Sequence, residues 1–402
     1  MLAYSQRIWQ ANARVLAPWL SSQACIHAQP RQAAVPDVPS DIRTDWTYAI
    51  PLEACIMLAH GRLPGCASHG CHHSEHWCRR EEVQDIYSAP LLDLVFRAAS
   101  MHRKYHDPNL VQKCTLLSIK TGGCPEDCNY CSQSSKHSET TGTKATKLLD
   151  LEEVYEAAVR AKESGSTRFC MGAAWRGPSQ VRTPLHLAAH VKGNCGSAYM
   201  SMFVPFSLWT GMQVGQRQWT RVLDMVKKIR ALDMEVCTTL GMLTPEQAAD
   251  LRNAGLTAYN HNLDTSPEYY PQVTKTRKYE DRLDTLETVR SAGISVCAGG
   301  IIGLGEGPKD RIGLLMQLAT LPSHPESVPI NRLVAVPGTP FEDHEAPTGM
   351  DLVRCIATAR ILMPQTVVRL SAGRLELTAS DQAWPLLCFS DCAACSLRVL
   401  AG

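Results

Sequence analysis

Short apolar runs alternate with amphipathic stretches from about residue 110 to residue 372 of this chain. Several of the helical stretches end in glycine just before the next run, as at Gly165, Gly255 and Gly293, where a left-handed helix end favours that residue. Alternating strands and helices with short connections build a parallel sheet covered by helices. The pattern therefore predicts an α/β fold, a (β/α)8 TIM-type barrel. The predicted strands span residues 114–120, 167–173, 234–240, 257–263, 294–300, 328–334 and 366–372.

These runs provide seven strands of a barrel that needs eight. The text after residue 374 shows no further strand pattern. We therefore expect the barrel to be truncated before or within strand 8, with a divergent tail at about 375–402. An open barrel would leave sheet edges that can pair with other chains.

Residues capable of chemistry follow or end the predicted strands. In barrels of this type the active site lies at the carboxyl ends of the strands and in the loops after them. A loop after the first strand holds three cysteines in eight residues, and other strands carry cysteines, amides and an arginine. A single strand cysteine is usually a small buried apolar residue, but three on different strands of one barrel favour a second metal site. These residues are Cys124, Cys128, Cys131, Cys170, Cys237, Cys297, Asn260, Asn262, Asp264, Asn331 and Arg369.

The loop spacing is Cys124-x3-Cys128-x2-Cys131, which supplies an odd number of thiols. Thiolates normally bind all four irons of a [4Fe–4S] cluster, so three leave one iron open. An open coordination position is what a metal centre needs in order to bind a substrate, as in catalytic zinc sites. The loop therefore predicts a cluster that binds a second molecule.

The loop, with Tyr130 before its last cysteine, resembles the signature of radical S-adenosylmethionine enzymes. Within that superfamily the chain is similar to the biotin synthase family. The resemblance covers about 100–180 and 216–374, including "LLSIKTGGCPEDCNYCSQSS", "YNHNLDTSPEYY", "PESVPINRLVAVPGTP" and "VVRLSAGR". It implies the superfamily barrel, a [4Fe–4S] cluster, a [2Fe–2S] cluster and S-adenosylmethionine as cofactors.

The resemblance also implies roles for single residues. Cys124, Cys128 and Cys131 match the ligands of the [4Fe–4S] cluster, whose open iron binds S-adenosylmethionine. Asn262 and Asp264 match contacts to its ribose, and Tyr130 lies at the same cofactor site. Asn262 and Asn331 match hydrogen bonds to the ureido ring of dethiobiotin, a neutral urea that an amide can both donate to and accept from. The ligands of the [2Fe–2S] cluster are matched by Cys170, Cys237, Cys297 and Arg369.

The reaction implied is radical insertion of sulfur into dethiobiotin to form biotin, the last step of biotin biosynthesis. A deoxyadenosyl radical removes hydrogen from an unactivated C–H bond, and the carbon radical takes sulfide from the second cluster. Family members form homodimers, and we expect an electron-donor protein and the iron–sulfur assembly machinery as further partners. Another radical S-adenosylmethionine enzyme acting on a different metabolite, and an inactive truncated relic, are the alternatives.

Composition excludes several other classes of partner. The formal net charge is +1 in 402 residues, so nothing favours nucleic-acid binding. No apolar run is long enough to span a membrane. The 17 cysteines lack the regular spacing of a secreted disulfide scaffold and favour thiols that bind metal.

The first 40 residues have the composition of a mitochondrial transit peptide. They carry Arg7, Arg14 and Arg31, and no acidic residue precedes Asp37. The alternative is an ordinary disordered tail. The composition favours localisation in the mitochondrial matrix.

Two irregular stretches, at about 48–78 and 181–214, interrupt the family text and are interpreted as insertions. The first divides an N-terminal helical segment at 41–99 that precedes the barrel domain at 100–402. Its "CASHGCHHSEHWC" offers zinc ligands, but their spacing fits no familiar site. In the tail, Cys388-x3-Cys392-x2-Cys395 repeats the loop spacing without its aromatic residue, and we do not expect a cluster there.

Overall fold

The computed structural model describes residues 79–178, 206–388 and 392–396. The predicted transit peptide and the irregular stretch at about 48–78 lie outside these residues, as does most of the stretch at about 181–214. In the described part of the chain, no helix is both long enough and apolar enough to cross a membrane.

The described elements alternate between helices and strands along the chain. The strands are β1 Gln112–Lys120, β2 Arg168–Ala173, β3 Glu235–Thr239, β4 Ala258–Asn260, β5 Ser295–Cys297, β6 Gly300–Ile302, β7 Ser327–Arg332, β8 Val367–Leu370 and β9 Cys392–Ser396. The helices are α1 Arg80–Ser88, α2 Leu91–Tyr105, α3 Ser138–Thr141, α4 Leu151–Glu163, α5 Phe206–Arg230, α6 Pro245–Asn253, α7 Tyr270–Val273, α8 Tyr279–Ser291, α9 Pro308–Ala319, α10 Gly349–Leu362 and α11 Ala379–Cys388.

The strands form one parallel sheet that closes on itself. Their order is β5-β4-β3-β2-β1-β9-β8-β7-β6, and β5 also pairs with β7 through Cys297 and Ser327. Every strand pair is parallel, so all the carboxyl ends meet at one edge. The predicted barrel is confirmed, and the loops after the strands share one face of the molecule.

The expectation of a missing eighth strand is wrong. β9 lies between β1 and β8, pairing with Gln112 to Leu116 on one side and with Arg369 and Leu370 on the other. Its sequence, CAACS, contains no β-branched or aromatic residue, so local preference gives no strand signal. The two neighbouring strands offer backbone hydrogen bonds on both sides, and these override the weak preference.

Two further segments differ from their predicted form. The predicted strand at 294–300 is two short strands, β5 and β6, separated by Ala298 and Gly299. The backbone here approaches β7 so closely that a Cβ on Gly299 would lie 1.9 Å from the Pro329 carbonyl oxygen, which only glycine avoids. The last part of the stretch predicted to be irregular, 206–214, is helical because α5 begins at Phe206.

The core lies between the sheet and the helices around it. Phe169 of β2 and Val236 of β3 are fully buried, as are Val226 of α5 and Leu251 of α6. The helices also carry local start signals. Before α6, Thr244 Oγ1 accepts from the backbone nitrogen of Gln247, and the Gln247 side chain accepts from the backbone nitrogen of Thr244. This reciprocal capping satisfies two backbone donors at the helix start.

Candidate active site

The three-cysteine loop leaves β1 through a tight turn and folds back on itself. At Gly122, φ is +70°, and a Cβ there would lie 2.7 Å from the Lys144 carbonyl oxygen, so the turn requires glycine. The backbone nitrogen of Cys124 donates to the Gln133 carbonyl at 2.9 Å, and that of Cys131 donates to the Cys128 carbonyl at 3.0 Å. The loop therefore presents three free cysteines from one compact turn.

A buried carboxylate inside this loop is clamped by residues that are distant in sequence. Glu126 Oε1 accepts from Arg277 Nη2 at 3.0 Å, and Arg176 Nε lies 3.3 Å from the same oxygen. Thr276 donates a hydroxyl hydrogen bond to the other carboxylate oxygen. Charge-assisted contacts of this kind are strong and directional. They fix the loop between its first two cysteines.

The neighbouring Asp127 is held by the same distant segment. Its Oδ1 accepts from Thr274 Oγ1 at 2.6 Å and from the backbone nitrogens of Lys275 at 3.0 Å and Thr276 at 3.1 Å. Burial works to raise the pKa of Asp127, but these hydrogen bonds hold it well below its usual range. The carboxylate is therefore ionised at neutral pH, and residues 274–277 grip both acidic side chains of the loop.

A second buried ion pair supports the end of the loop. Arg282 forms an ion pair with Asp264, and Tyr130 donates to Asp264 Oδ2 at 3.1 Å. Asp264 has a φ of +66°, an unusual backbone conformation for a residue with a side chain. Burial acts to lower the pKa of Arg282, but Asp264 together with other nearby acidic groups outweighs it and raises the pKa, so the arginine stays charged. Because Tyr130 precedes Cys131, the pair anchors the third cysteine.

The loop thiols are protonated in the absence of metal. Burial raises the pKa of the Cys128 thiol to about 12 and that of Cys131 to about 11, and the nearby Asp264 carboxylate raises both further. Burial also raises the pKa of Cys124. Thiolates bind iron, so cluster assembly here must release protons.

The strand cysteines predicted to form a second group lie together inside the barrel. Cys170, Cys237 and Cys297 lie on β2, β3 and β5, and Cys237 is within hydrogen-bonding reach of both others. The hydrogen bond that Cys237 donates to Cys170, together with burial, raises the pKa of the Cys237 thiol, while a hydrogen bond from Cys297 lowers it. Arg369 of β8 is connected to this group through Ser327, whose hydroxyl oxygen lies 3.4 Å from Cys297 Sγ and accepts from Arg369 Nε.

Neither set of cysteines converges on one point. Within residues 79–178, 206–388 and 392–396, no three His, Cys, Asp or Glu side chains are placed to hold a single metal ion. An iron–sulfur cluster makes no such demand, because each thiolate binds a different iron. Free cysteines in two separate groups thus have the donor chemistry that clusters require.

The predicted substrate amides lie at the carboxyl ends of their strands and contact the backbone. Asn262 Oδ1 accepts from Asn260 Nδ2 at 3.1 Å and from the Gly299 nitrogen at 3.2 Å. Asn331 donates to the Gly300 carbonyl at 2.9 Å and accepts from the Ala372 nitrogen at 3.1 Å. Both amides therefore have a set orientation.

Sequence reasoning missed the residues that surround Arg369. Its guanidinium contacts Cys114 and Gln112 of β1. Gln112 in turn donates to Glu235, and Glu235 also accepts from Arg168. Period-two alternation places Gln112 and Cys114 on one face of β1, but that signal does not distinguish them from ordinary interior residues. The clamp on Glu126 was missed too, since its partners lie about 50 and 150 residues away in the chain.

The repeated cysteine motif of the tail lies partly in a strand. Cys392 and Cys395 belong to β9, where the backbone is committed to pairing with β1 and β8. The candidate zinc ligands at about 66–78 lie outside the described residues.

Comparison with known families agrees with this architecture. Residues 118–318 match the Radical SAM superfamily, and residues 329–397 match the Biotin and Thiamin Synthesis associated domain. The second match extends through β9, beyond the point where the sequence motifs fade. A closed parallel barrel with a three-thiol loop after its first strand, matched to this superfamily, defines a radical S-adenosylmethionine enzyme. Membership implies a [4Fe–4S] cluster and S-adenosylmethionine, which the loop cysteines fit.

Curated relatives identify the family within this class. The mitochondrial biotin synthase of Arabidopsis thaliana is 53% identical over 310 residues, covering 77% of this chain and 72% of the relative. The biotin synthase of Cytophaga hutchinsonii is 52% identical over 310 residues, covering 77% and 80%. That of Schizosaccharomyces pombe is 51% identical over 306 residues, covering 76% and 74%. The chain belongs to the biotin synthase family.

Solved structures support the fold independently of sequence. Methylornithine synthase aligns with a TM-score of 0.59 at 15% identity, covering 79% of this chain and 82% of that one. The FeFe-hydrogenase maturase HydG of Carboxydothermus hydrogenoformans aligns with a TM-score of 0.62 at 16% identity, covering 86% and 70%. At these identities the likeness concerns the fold alone.

Proposed function

We propose that this chain converts dethiobiotin to biotin by inserting a sulfur atom with two iron–sulfur clusters. The observation that carries the proposal is the presence of two separate sets of cysteines in one barrel. One group lies in the loop after β1, and the other lies on β2, β3 and β5 near a buried arginine. Membership of the biotin synthase family supports assigning the two groups to a radical-generating cluster and a sulfur-supplying cluster.

The loop residues hold and orient the first cofactors. Cys124, Cys128 and Cys131 would bind a [4Fe–4S] cluster, with S-adenosylmethionine at the open iron. Asn262 and Asp264 would contact its ribose. Asp264 already ties Tyr130 to Arg282, so its carboxylate is held in place before any ligand binds. A preorganised contact of this kind lowers the entropy lost on binding.

The interior residues would hold a [2Fe–2S] cluster. Cys170, Cys237 and Cys297 provide thiolates, and Arg369 would bind through a nitrogen that must give up its proton. When bound, the cofactors supply reductive cleavage of S-adenosylmethionine, hydrogen abstraction from unactivated C–H bonds and the sulfur atom for each new C–S bond. The barrel contributes position and exclusion of water, because Cys237, Cys297 and Arg369 are all buried.

The substrate would lie between the two thiol groups, near the carboxyl ends of β4 and β7. Asn262 and Asn331 are there, and their amides can donate to the ureido oxygen or accept from its nitrogens. Their contacts with Gly299, Gly300 and Ala372 limit rotation of both side chains. We infer that they select a planar urea by geometry.

The test is anaerobic reconstitution with iron and sulfide, followed by addition of S-adenosylmethionine, a reductant and dethiobiotin. Mass spectrometry should detect both 5′-deoxyadenosine and biotin. Cys128→Ala should abolish both products, whereas Cys297→Ala should keep 5′-deoxyadenosine and lose biotin. The matched control is Cys355→Ala, which should keep both products, because Cys355 is a buried cysteine on α10 that is hydrogen-bonded to Tyr87.

Other outcomes separate the competing functions. Deoxyadenosine without biotin from the unmodified protein would favour a different small substrate. Neither product, from protein with both clusters assembled, would contradict an active enzyme. The relic interpretation rested on a lost eighth strand and on two interrupting insertions, and β9 argues against the first of these reasons.

We further propose a mitochondrial location and a homodimeric assembly that receives electrons from a partner protein. An arginine-containing N-terminus without early acidic residues supports the location, as does the mitochondrial name of the Arabidopsis relative. Import into isolated mitochondria and light scattering of the purified protein would test the location and the assembly.

A further inference from the structure

The guanidinium of Arg369 lies in a buried hydrogen-bond network that includes a further cysteine, Cys114. Cys114 lies on β1 and is 3% exposed, while Arg369 on β8 is 4% exposed. Arg369 Nη1 donates to Cys114 Sγ at 2.8 Å. Because β9 separates β1 from β8 in the sheet, this contact joins two strands that are not neighbours and spans the width of β9.

Each nitrogen of the guanidinium has a different side-chain partner. Nε donates to Ser327 on β7, Nη1 to Cys114, and Nη2 to Gln112 Oε1 at 3.0 Å. An arginine has a long side chain with many rotamers, and three directional contacts restrict it to one. The plane of the guanidinium is thereby set relative to the cysteines of the second group, since Ser327 also contacts Cys297.

The partners are themselves held in orientation. Gln112 donates from Nε2 to Glu235 Oε2 at 3.2 Å, and that carboxylate accepts from Arg168 Nε at 2.6 Å. Because the Gln112 amide nitrogen is engaged by Glu235, the side-chain carbonyl oxygen of Gln112 must face Arg369. The Cys114 thiol lies 3.7 Å from the same carbonyl oxygen and can donate to it while accepting from Arg369. Cys114 thus connects the arginine to the fixed amide.

We propose that Cys114 is a positioning residue: its hydrogen bond to Nη1 presents Arg369 to the cluster held by Cys170, Cys237 and Cys297. This inference rests on the proposed second cluster. Residues that contact a metal ligand commonly set its orientation, and their loss weakens metal retention about 10–100-fold. Cys114 acts through Arg369 and is not assigned as a ligand itself.

A hydrogen-bonding role can be distinguished from a packing role at this position. A free cysteine often serves only as a small buried apolar residue. Serine can accept from Arg369 and donate to Gln112 as the thiol does, but it is less apolar. Valine fills the space and offers neither contact. A hydrogen-bonding role therefore predicts that serine can replace Cys114 and valine cannot, whereas a packing role predicts the reverse.

The experiment compares the unmodified chain with Cys114→Ser, Cys114→Val and Cys355→Val. Each protein is reconstituted with ⁵⁷Fe and sulfide, without S-adenosylmethionine or dethiobiotin. Mössbauer spectra and iron counts then report each cluster separately, independent of turnover. We expect Cys114→Ser to retain the [2Fe–2S] signal, and Cys114→Val to lose it while keeping the [4Fe–4S] signal. Cys355→Val, a similar change at a buried site on α10, should resemble the unmodified chain.

Other results would overturn the proposal. Retention of the second cluster by Cys114→Val would show that the hydrogen bond is dispensable. Its loss from both Cys114 variants would show that the sulfur atom itself is needed. If Cys114→Val loses both clusters through misfolding, Cys114→Ala replaces it and is judged by the same criteria. Absence of the [2Fe–2S] signal from the unmodified chain would instead contradict the proposed function.

Discussion

The two sets of cysteines in this barrel, the loop group and the interior group, are formed in different ways. Cys124, Cys128 and Cys131 come from one loop, and their spacing is set by the local chain. Cys170, Cys237 and Cys297 come from three strands and are brought together only when β2, β3, β4 and β5 assemble into the sheet. The loop group should therefore depend on the residues that grip the loop, and the interior group on the integrity of the strands.

The largest expected effect is on the loop group, through Asp264→Ala. The change leaves Arg282 buried without its carboxylate and releases Tyr130. Removing one partner of a buried ion pair costs about 3–5 kcal/mol. We expect urea denaturation to show that loss in the free energy of unfolding. The [4Fe–4S] content should fall more than the [2Fe–2S] content. An equal loss of both clusters would show that the ion pair does not support the loop group in particular.

The next effect is on the interior group, through Ala394→Pro in β9. Ala394 pairs with Cys114 of β1, and proline inside a central strand removes a ladder hydrogen bond. The variant should lose the [2Fe–2S] cluster first and aggregate through the exposed edges of β1 and β8. Iron counts and size-exclusion chromatography measure the two results. Ala394→Val, which keeps the strand, is the control, and a proline variant that behaves like it would argue against the role of β9.

A smaller effect should follow from Glu126→Gln in the loop. The amide cannot satisfy Arg277 and Arg176 as the carboxylate does. Losing a hydrogen bond to a charged group costs about 1.5–3 kcal/mol. We expect slower assembly of the [4Fe–4S] cluster, which is measured by its visible absorption. The [2Fe–2S] cluster should be unchanged. Normal assembly in this variant would show that the loop keeps its shape without the clamp.

The smallest effect is expected outside both groups, from Thr244→Ala at the start of α6. Loss of the helix cap costs about 1 kcal/mol. Thermal unfolding should shift to a lower temperature while both cluster contents stay constant. Loss of either cluster from this variant would mean that cluster content follows the global stability of the protein. Cluster content could then not be used to assign an effect to one site.

Particular elements show how far sequence reasoning extended into the fold. The strands with β-branched and apolar residues, such as β1 and β2, were predicted because those side chains prefer a pleated, buried surface. β9 was missed because CAACS has no such preference and is a strand only through its neighbours. The division between β5 and β6 was missed because it depends on how closely the backbone at Gly299 approaches β7.

The candidate site divides in the same way. The three-thiol loop, the positions of the strand cysteines and the family resemblance could be predicted from the sequence, because spacing and alternation are local properties of the chain. The residues that support these cysteines could be identified only in the folded barrel. Arg277 grips Glu126 from 151 positions away, and Arg369 reaches Cys114 from 255 positions away. Contacts between residues so far apart arise only when the barrel closes and buries charges that must then be paired.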